Sequence, residues 1–354
     1  MRTGSDTKEV RKVQFTGRST YVLSLPKRWV EEMRVKAGDQ VTLIRELDNS
    51  LSVVPVSAAA SGSPNEATAI ITPAEGSNTL KRKVVSMYLA GYNIIHLRIK
   101  SGRINPSLRD AVREVVRRNL VGTEMIADAS DNITLQVLLS VPELSINTAI
   151  RRMYLIASSM HKDAISSLAE QNYDLGQEVI KSDDEVDRFS LYILRNLVIA
   201  TQNGRTLREM GLKDPSDCLS YRVAVKSIER VADHACGIAE RALKFKEKLP
   251  KDSLQKIEKM SQLSLTVLTD SVEALLRRDY RLADKTVETV EGVHSLEVDA
   301  LAAIEKEKIH DSASIKLILE NIRRTAEYAS DVAEAAMNQT IDEVIEKHVP
   351  AKNK

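Results

Sequence analysis

Cysteine is nearly absent: the 354-residue chain holds two, Cys218 and Cys236. Their spacing suggests neither a disulfide scaffold nor a zinc knuckle. Aromatic residues make up 4% and glycines number 13. So little glycine beside abundant Ala, Leu, Glu, Lys and Arg favours helices. No apolar run reaches the ~18 residues of a membrane span. The opening MRTGSDTKEV has no hydrophobic signal region, so a cytoplasmic protein with no membrane insertion is expected. No HExxH, nucleotide loop or nucleophile–base set appears, and the chain is not expected to be an enzyme. Excess charge of one sign is also missing, with 51 Lys and Arg against 50 Asp and Glu. Charged residues at 29% and hydrophobic ones at 43% describe a globular chain of two or three domains.

Charge is nevertheless uneven. Residues 1–30 carry seven basic side chains against two acidic ones. From Glu9 to Val54 the pattern is mostly strand, broken by Thr16-Gly17-Arg18 and by a short helix after Pro26, where proline is tolerated in the first turn. Some 45 residues cannot easily bury four short strands and a helical turn alone. The stretch RKVQFTGRSTYVLSLPKRWVEEMRVKAGDQVTLIRELDNSLSVVP resembles the SpoVT/AbrB swapped-hairpin family. Its marks are the basic first strand, the glycine before the second strand, Leu-Pro-Lys before the helix, and Gly-Asp before the last hairpin. The resemblance implies that residues 8–56 form an intertwined dimer presenting Lys and Arg to double-stranded DNA. Clustered cations bind duplexes through counterion release, and a dimer doubles the cluster. The candidate DNA contacts are Arg11, Lys12, Arg18, Lys27 and Arg28. The plainer reading is a solvated strand face on a module that only dimerises.

Residues 57–66, SAAASGSPNE, read as a flexible linker. Residues 67–143 then alternate as β-α-β-α-β-β, a small α+β domain without a phosphate loop. His96 lies in an apolar strand and reads as a satisfied core histidine. The basic face of Arg113, Arg117 and Arg118 reads as solvated.

From Ser145 the chain is almost wholly helical, with Ile150, Met153, Ala157, Met160, Ala164 and Leu168 at 3–4 spacing. This half repeats itself. At an offset of 107, Ile150 matches Ile257, Met153 matches Met260 and Tyr173 matches Tyr280; at an offset of 94, SIERVADHACGIAE lies over NIRRTAEYASDVAE. The change of offset places a shorter loop between the second and third helices of the second copy. Two three-helix bundles are expected, over 145–248 and 252–346. IERVADHACGIAE and VIKSDDEVDRF resemble the third- and second-helix motifs of the PhoU family of phosphate-signalling regulators. With the AbrB-like start, the chain resembles the archaeal type of PhoU regulator. The expected fold class is mainly α with a small β N-terminal module, an α+β middle domain and tandem three-helix bundles.

Asp183 and Asp187 are spaced i,i+4, as are Glu229 and Asp233, so each pair shares a helix face. Like charges at that spacing invite a cation, and oxygen-only ligands suit Mg, Mn, Fe or Ca. The PhoU resemblance implies a divalent or iron metal ion on Asp183, Asp187, Glu229 and Asp233 of the first bundle. The second copy departs from this pattern, with Val290, His294, Arg323 and Glu327 at the matching positions. Flanking Lys181, Arg188, Lys226 and Arg230 offer the competing reading, neutralisation by surface ion pairs. Beside a metal-dependent enzyme, against which the missing nucleophile–base set speaks, two functions stay open. One is a DNA-binding transcriptional regulator of phosphate uptake and homeostasis. The other is an adaptor that docks on a phosphate transporter ATPase or signalling protein while its first module only holds a homo-oligomer together.

Overall fold

The computed structural model describes residues 8–17, 19–45, 50–56, 65–72, 74–138 and 145–346. The chain divides at Asn65/Glu66 into two compact units.

In the first unit, β1 (Gln14–Thr16) pairs antiparallel with β2 (Thr20–Val22) across a turn where Gly17 has φ 65°. That left-handed conformation is cheap only for glycine. The helix α1 (Lys27–Glu32) follows Pro26, and β3 (Val41–Arg45) pairs with β4 (Leu51–Pro55). Two hairpins and one and a half helical turns enclose almost nothing. Among the described residues of this unit only Pro26 and Pro55 are buried. Phe15 and Tyr21 meet across the first hairpin at 5.0 Å with their rings tilted by 57°, yet they remain 58% and 73% exposed, and Leu43 on β3 is 66% exposed.

The second unit begins with a four-stranded sheet. Its strands are β5 (Glu66–Ile71), β6 (Ile94–Ile99), β7 (Thr123–Asp128) and β8 (Asn132–Val137), in the order β5-β6-β8-β7. β5 and β6 run parallel; the other pairings are antiparallel. The sheet therefore starts at Glu66, one residue inside the stretch that composition assigns to the linker. Ile95, Leu97, Ile99, Ile133, Leu135 and Val137 point to one face, as strand alternation requires. There they pack on α2 (Ser77–Leu89) and α3 (Pro106–Asn119) through Leu80, Val84, Tyr88, Leu108, Val112 and Val115. His96 departs from the core reading. It faces away from the helices, partly exposed, with Nδ1 3.0 Å from Thr134 Oγ1 and Nε2 2.5 Å from Glu66 Oε1.

The helical part follows. Its first copy is α4 (Ile146–Glu170), α5 (Tyr173–Gln202) and α7 (Asp217–Lys244), with the short α6 (Gly204–Glu209) between the last two. Its second copy is α8 (Lys251–Arg277), α9 (Tyr280–Glu307) and α10 (Ser312–Thr340). The repeat extends to the corners. Gln171 and Arg278, 107 residues apart, both close a first helix at positive φ, 53° and 58°. Asn172 and Asp279 then cap the second helices by accepting from Leu175 N and Leu282 N. The residues by which the first copy exceeds the second are those that hold α6. One apolar core runs through both copies, with α7 packed on α10 and α4 on α8.

Candidate functional site

The carboxylates sit where α5 meets α7. Val179, Val186 and Ile193 turn the apolar face of α5 inward, and Ile228, Val231, Ala232 and Ala235 do so for α7. Asp183, Asp187 and Glu229 border these stripes and are partly buried, while Asp233 lies at the exposed rim. Burial, together with the charges of Asp187, Asp233 and Glu229, pushes the Asp183 carboxyl up to about 7. Burial and the charges of Glu229 and Asp233 push Asp187 up to about 6. Asp233 is raised as well, first by burial and then by Glu229. The buried Asp183 Oδ1 has no hydrogen-bond partner. The Cys236 thiol beside it is pushed up by burial and by the charges of Asp183 and Asp233, so it stays protonated.

Of the flanking cations, Lys226 makes a direct contact with this group, its Nζ donating to Glu229 Oε1 at 2.5 Å, and Arg230 acts on Asp233 through its charge. Lys181 turns to Glu178, and Arg230 lies over the Tyr328 ring at 5.2 Å. One lysine against four carboxylates leaves negative charge in a half-buried place, which favours a hard cation. Among the described residues, no three His, Cys, Asp or Glu side chains converge in a metal-binding arrangement. The donor set fits a cation in charge and chemistry, and its side chains are not closed around one.

The second copy has solved the same electrostatic problem with its own residues. Arg323, at the position of Glu229, pairs with Glu327 and donates Nε toward Glu297 Oε2 at 3.3 Å. Arg324 adds a contact to Glu327 at 3.0 Å. His294, at the position of Asp187, lies 3.9 Å from Glu327, and Val290 replaces Asp183 within the core. The Arg323 guanidinium thus supplies counter-charge to Glu297 and Glu327. The seam between copies is polar in patches. His161 is fully buried between Ser261 and Thr325, and burial pulls its pKa down to about 4, which keeps it neutral. His234 Nδ1 approaches Asn321 Oδ1 at 2.6 Å.

The basic candidates of the first unit fall into three groups. Arg11, Lys27 and Arg28 surround one groove of about 320 Å³, together with Lys8 and Trp29. Arg11 is 2.8 Å from Glu9, and Lys27 and Arg28 reach Glu31 and Glu32 at 3.7 and 3.1 Å, all in exposed pairs. Such pairs exchange readily for phosphate, because exposed ion pairs contribute only ~0–1 kcal/mol. Lys12 is exposed beside them, outside the groove lining. Arg18 lies outside the described residues.

One functional residue was not singled out by sequence. Arg195 of α5, 3% exposed, donates to the carbonyls of Tyr88 and Gly91 and to Asn93 Oδ1, joining α5 to the sheet domain. A lone arginine inside the apolar run LYILRNLVIA was the available signal.

Comparison with known proteins agrees with these two halves. Residues 150–242, the first helical copy, match the PhoU domain model. Residues 14–60 match the model described as antidote-toxin recognition MazE, bacterial antitoxin. A phosphate-specific transport system accessory protein PhoU homolog of Aquifex aeolicus is 30% identical over 152 residues, which are 42% of this chain and 64% of that protein. The chain thus spans less than two thirds of that relative's length. A PhoU homolog of Thermotoga maritima is 27% identical over 202 residues, 55% of this chain and 82% of the relative. Solved PhoU structures from Streptococcus pneumoniae and Pseudomonas aeruginosa superpose with TM-scores of 0.48 and 0.49, at 19% and 18% identity, over 57% and 56% of this chain and 96% of theirs. The chain is thus similar to the MazE antitoxin model at its start and to the PhoU domain model over the helical copy that carries the four carboxylates.

Proposed function

We propose that the chain is a DNA-binding transcriptional regulator linked to phosphate uptake, in which the first unit dimerises on duplex DNA and the helical unit receives the signal. The observation that carries this reading is the state of the first unit. It gathers basic side chains around one groove and leaves Phe15, Tyr21 and Leu43 uncovered. Apolar hairpin faces of that kind need a second protein surface, and a second copy supplies it with two-fold symmetry. Pairing brings two cationic grooves onto one partner, and a polyanion with repeating phosphates suits them. Signal reception then acts through oligomeric state or occlusion of the DNA face rather than through a rigid lever.

Asp183, Asp187, Glu229 and Asp233 would hold the metal of the helical unit. A divalent or iron cation would supply counter-charge to them there. The chain's own contribution is to keep four carboxylates crowded and half-desolvated, so that ligation is coupled to helix packing. No catalytic role is assigned to them.

The adaptor reading has support too, because the relatives carry phosphate-transport names and the PhoU domain model matches residues 150–242. In that reading the first unit only oligomerises. Genome-wide mapping of bound DNA in phosphate-rich and phosphate-poor cells separates the two. Discrete, phosphate-dependent sites lost with Arg11→Ala/Lys12→Ala support the regulator. No enrichment over a strain lacking the protein supports the adaptor.

A further inference from the structure

The five large apolar residues exposed at one end of the helical unit are not scattered. Leu219 and Val223 lie i,i+4 on α7, 66% and 47% exposed, and Ile341, Val344 and Ile345 follow the end of α10, exposed to a similar degree. Leu219, Val223 and Ile341 line an open groove of about 870 Å³ between the start of α7 and the end of α10. A helix ~10 Å across with a 5.4 Å pitch fills about that volume in two turns.

The groove floor is electrostatically settled. Arg278, from the left-handed cap of α8, lies 3.6 Å from Asp217 and donates to the Gln339 carbonyl at 3.0 Å. Asp217 also accepts from Lys213 N and Asp214 N. The walls are not balanced. Among the described lining residues they carry Asp214, Asp331, Glu334 and Glu343 against Lys213. Apolar seats inside an acidic rim are the complement of a helix with leucines on one face and lysines or arginines flanking them. Rim charges of one sign steer such a partner in, and the buried apolar contacts hold it.

We infer that the groove between α7 and α10 is a docking surface for a basic amphipathic helix of another protein. The inference needs only the helical unit and is independent of whether the first unit binds DNA.

The probe is a fluorescein-labelled 14-residue peptide with leucines at 3–4 spacing and lysines elsewhere, titrated into the full chain by anisotropy. Its controls are a scrambled peptide of the same composition and a version with glutamates for lysines. The lysine peptide binds, and neither control does. Leu219→Ser/Val223→Ser weakens binding at least tenfold, with an unchanged melting temperature, since both residues are exposed. Glu334→Gln/Glu343→Gln weakens it about threefold and flattens its salt dependence. The inference is overturned by absence of binding at low salt, by equal binding of the scrambled peptide, or by unchanged affinity of the Leu219/Val223 variant. It is also overturned if that variant abolishes a self-association of the wild-type chain measured by sedimentation, because the occupant is then a second copy.

Discussion

Arg195 lays its guanidinium 4.8 Å from the centre of the Tyr88 ring and donates to the Tyr88 backbone carbonyl. The carbonyls of Tyr88 and Gly91 close the C-terminal end of α2, where the helix dipole is negative, so the charge is matched without a carboxylate. Gly91, at φ 92°, turns the chain there, and a Cβ on it would stand 3.2 Å from Ile199 Cγ1. Burial lowers the Arg195 pKa and lifts Tyr88 to about 12, so neither group titrates near neutrality. Arg195→Ala leaves these acceptors unmet in a dry place and costs about 2–4 kcal/mol. Arg195→Lys restores less than half, because an ammonium cannot span three acceptors with a planar fork. Chemical denaturation measures the loss, and hydrogen exchange should rise first at the end of α2. An unchanged midpoint would show that the sheet domain is held by apolar packing alone.

The carboxylate centre sets a pH dependence. The Asp183 carboxyl rises from 3.8 to about 7 on folding, so between these values the folded chain binds a proton that the unfolded chain does not. Stability therefore falls as pH rises from 4 to 7 in chelated protein. Asp183→Asn removes the Asp183 contribution and stabilises the chain at pH 8 by on the order of 1 kcal/mol, after allowance for solvent screening. Manganese or ferrous ion should raise the melting temperature of the wild type at pH 8 by mass action, and leave Asp183→Asn/Asp233→Asn nearly unmoved. Melting curves at pH 5 and pH 8, with and without metal, read all three effects.

Arg323 makes the second copy its own control. Arg323→Gln takes the Arg323 cation from Glu297 and leaves Glu327 with Arg324 alone, and it costs about 1–2 kcal/mol at pH 8. It should also make the second copy sensitive to added divalent ions, where the wild-type copy is not. Calorimetric titration of the Asp183→Asn/Asp233→Asn background, with and without Arg323→Gln, isolates that gain. Equal heats in both proteins would mean that the guanidinium does not stand in for a cation.

Oligomerisation should reside in the first unit. Tyr21→Ser/Leu43→Ser removes apolar surface that lies open in a single chain, so a monomeric account expects no loss. A dimer through these faces loses about 1.5–3 kcal/mol per buried side chain, and its sedimentation profile shifts to monomer at micromolar concentration.

The helical repeat was readable because its pattern is dense. Ile150 and Ile257, Met153 and Met260, and Ile228 and Ile322 are matched in sequence and all fully buried. The corners were harder. Nothing in composition announces that Gln171 and Arg278 adopt the same left-handed turn, since both are poor residues for it and owe it to the helix end. The short α6 disappeared inside an offset difference. His96 was misplaced because a strand of apolar type, NIIHLRI, still alternates its faces, and the partners that decide the matter, Glu66 and Thr134, come from two other strands. At the carboxylates, spacing gave the pairs on each helix. It gave neither the Lys226 contact nor the Arg323 network, both of which depend on how adjacent helices are rotated.

The regulator reading requires that the first unit grip DNA as a pair of chains. The most direct test is anisotropy of a labelled duplex titrated with the full chain over a salt series, beside a chain lacking residues 1–56. The account predicts tight binding at low salt that weakens log-linearly as salt rises, a shallower slope for Arg11→Ala/Lys12→Ala, and at least a hundredfold loss for the shortened chain. Equal affinity of the full and shortened chains at low salt would contradict it.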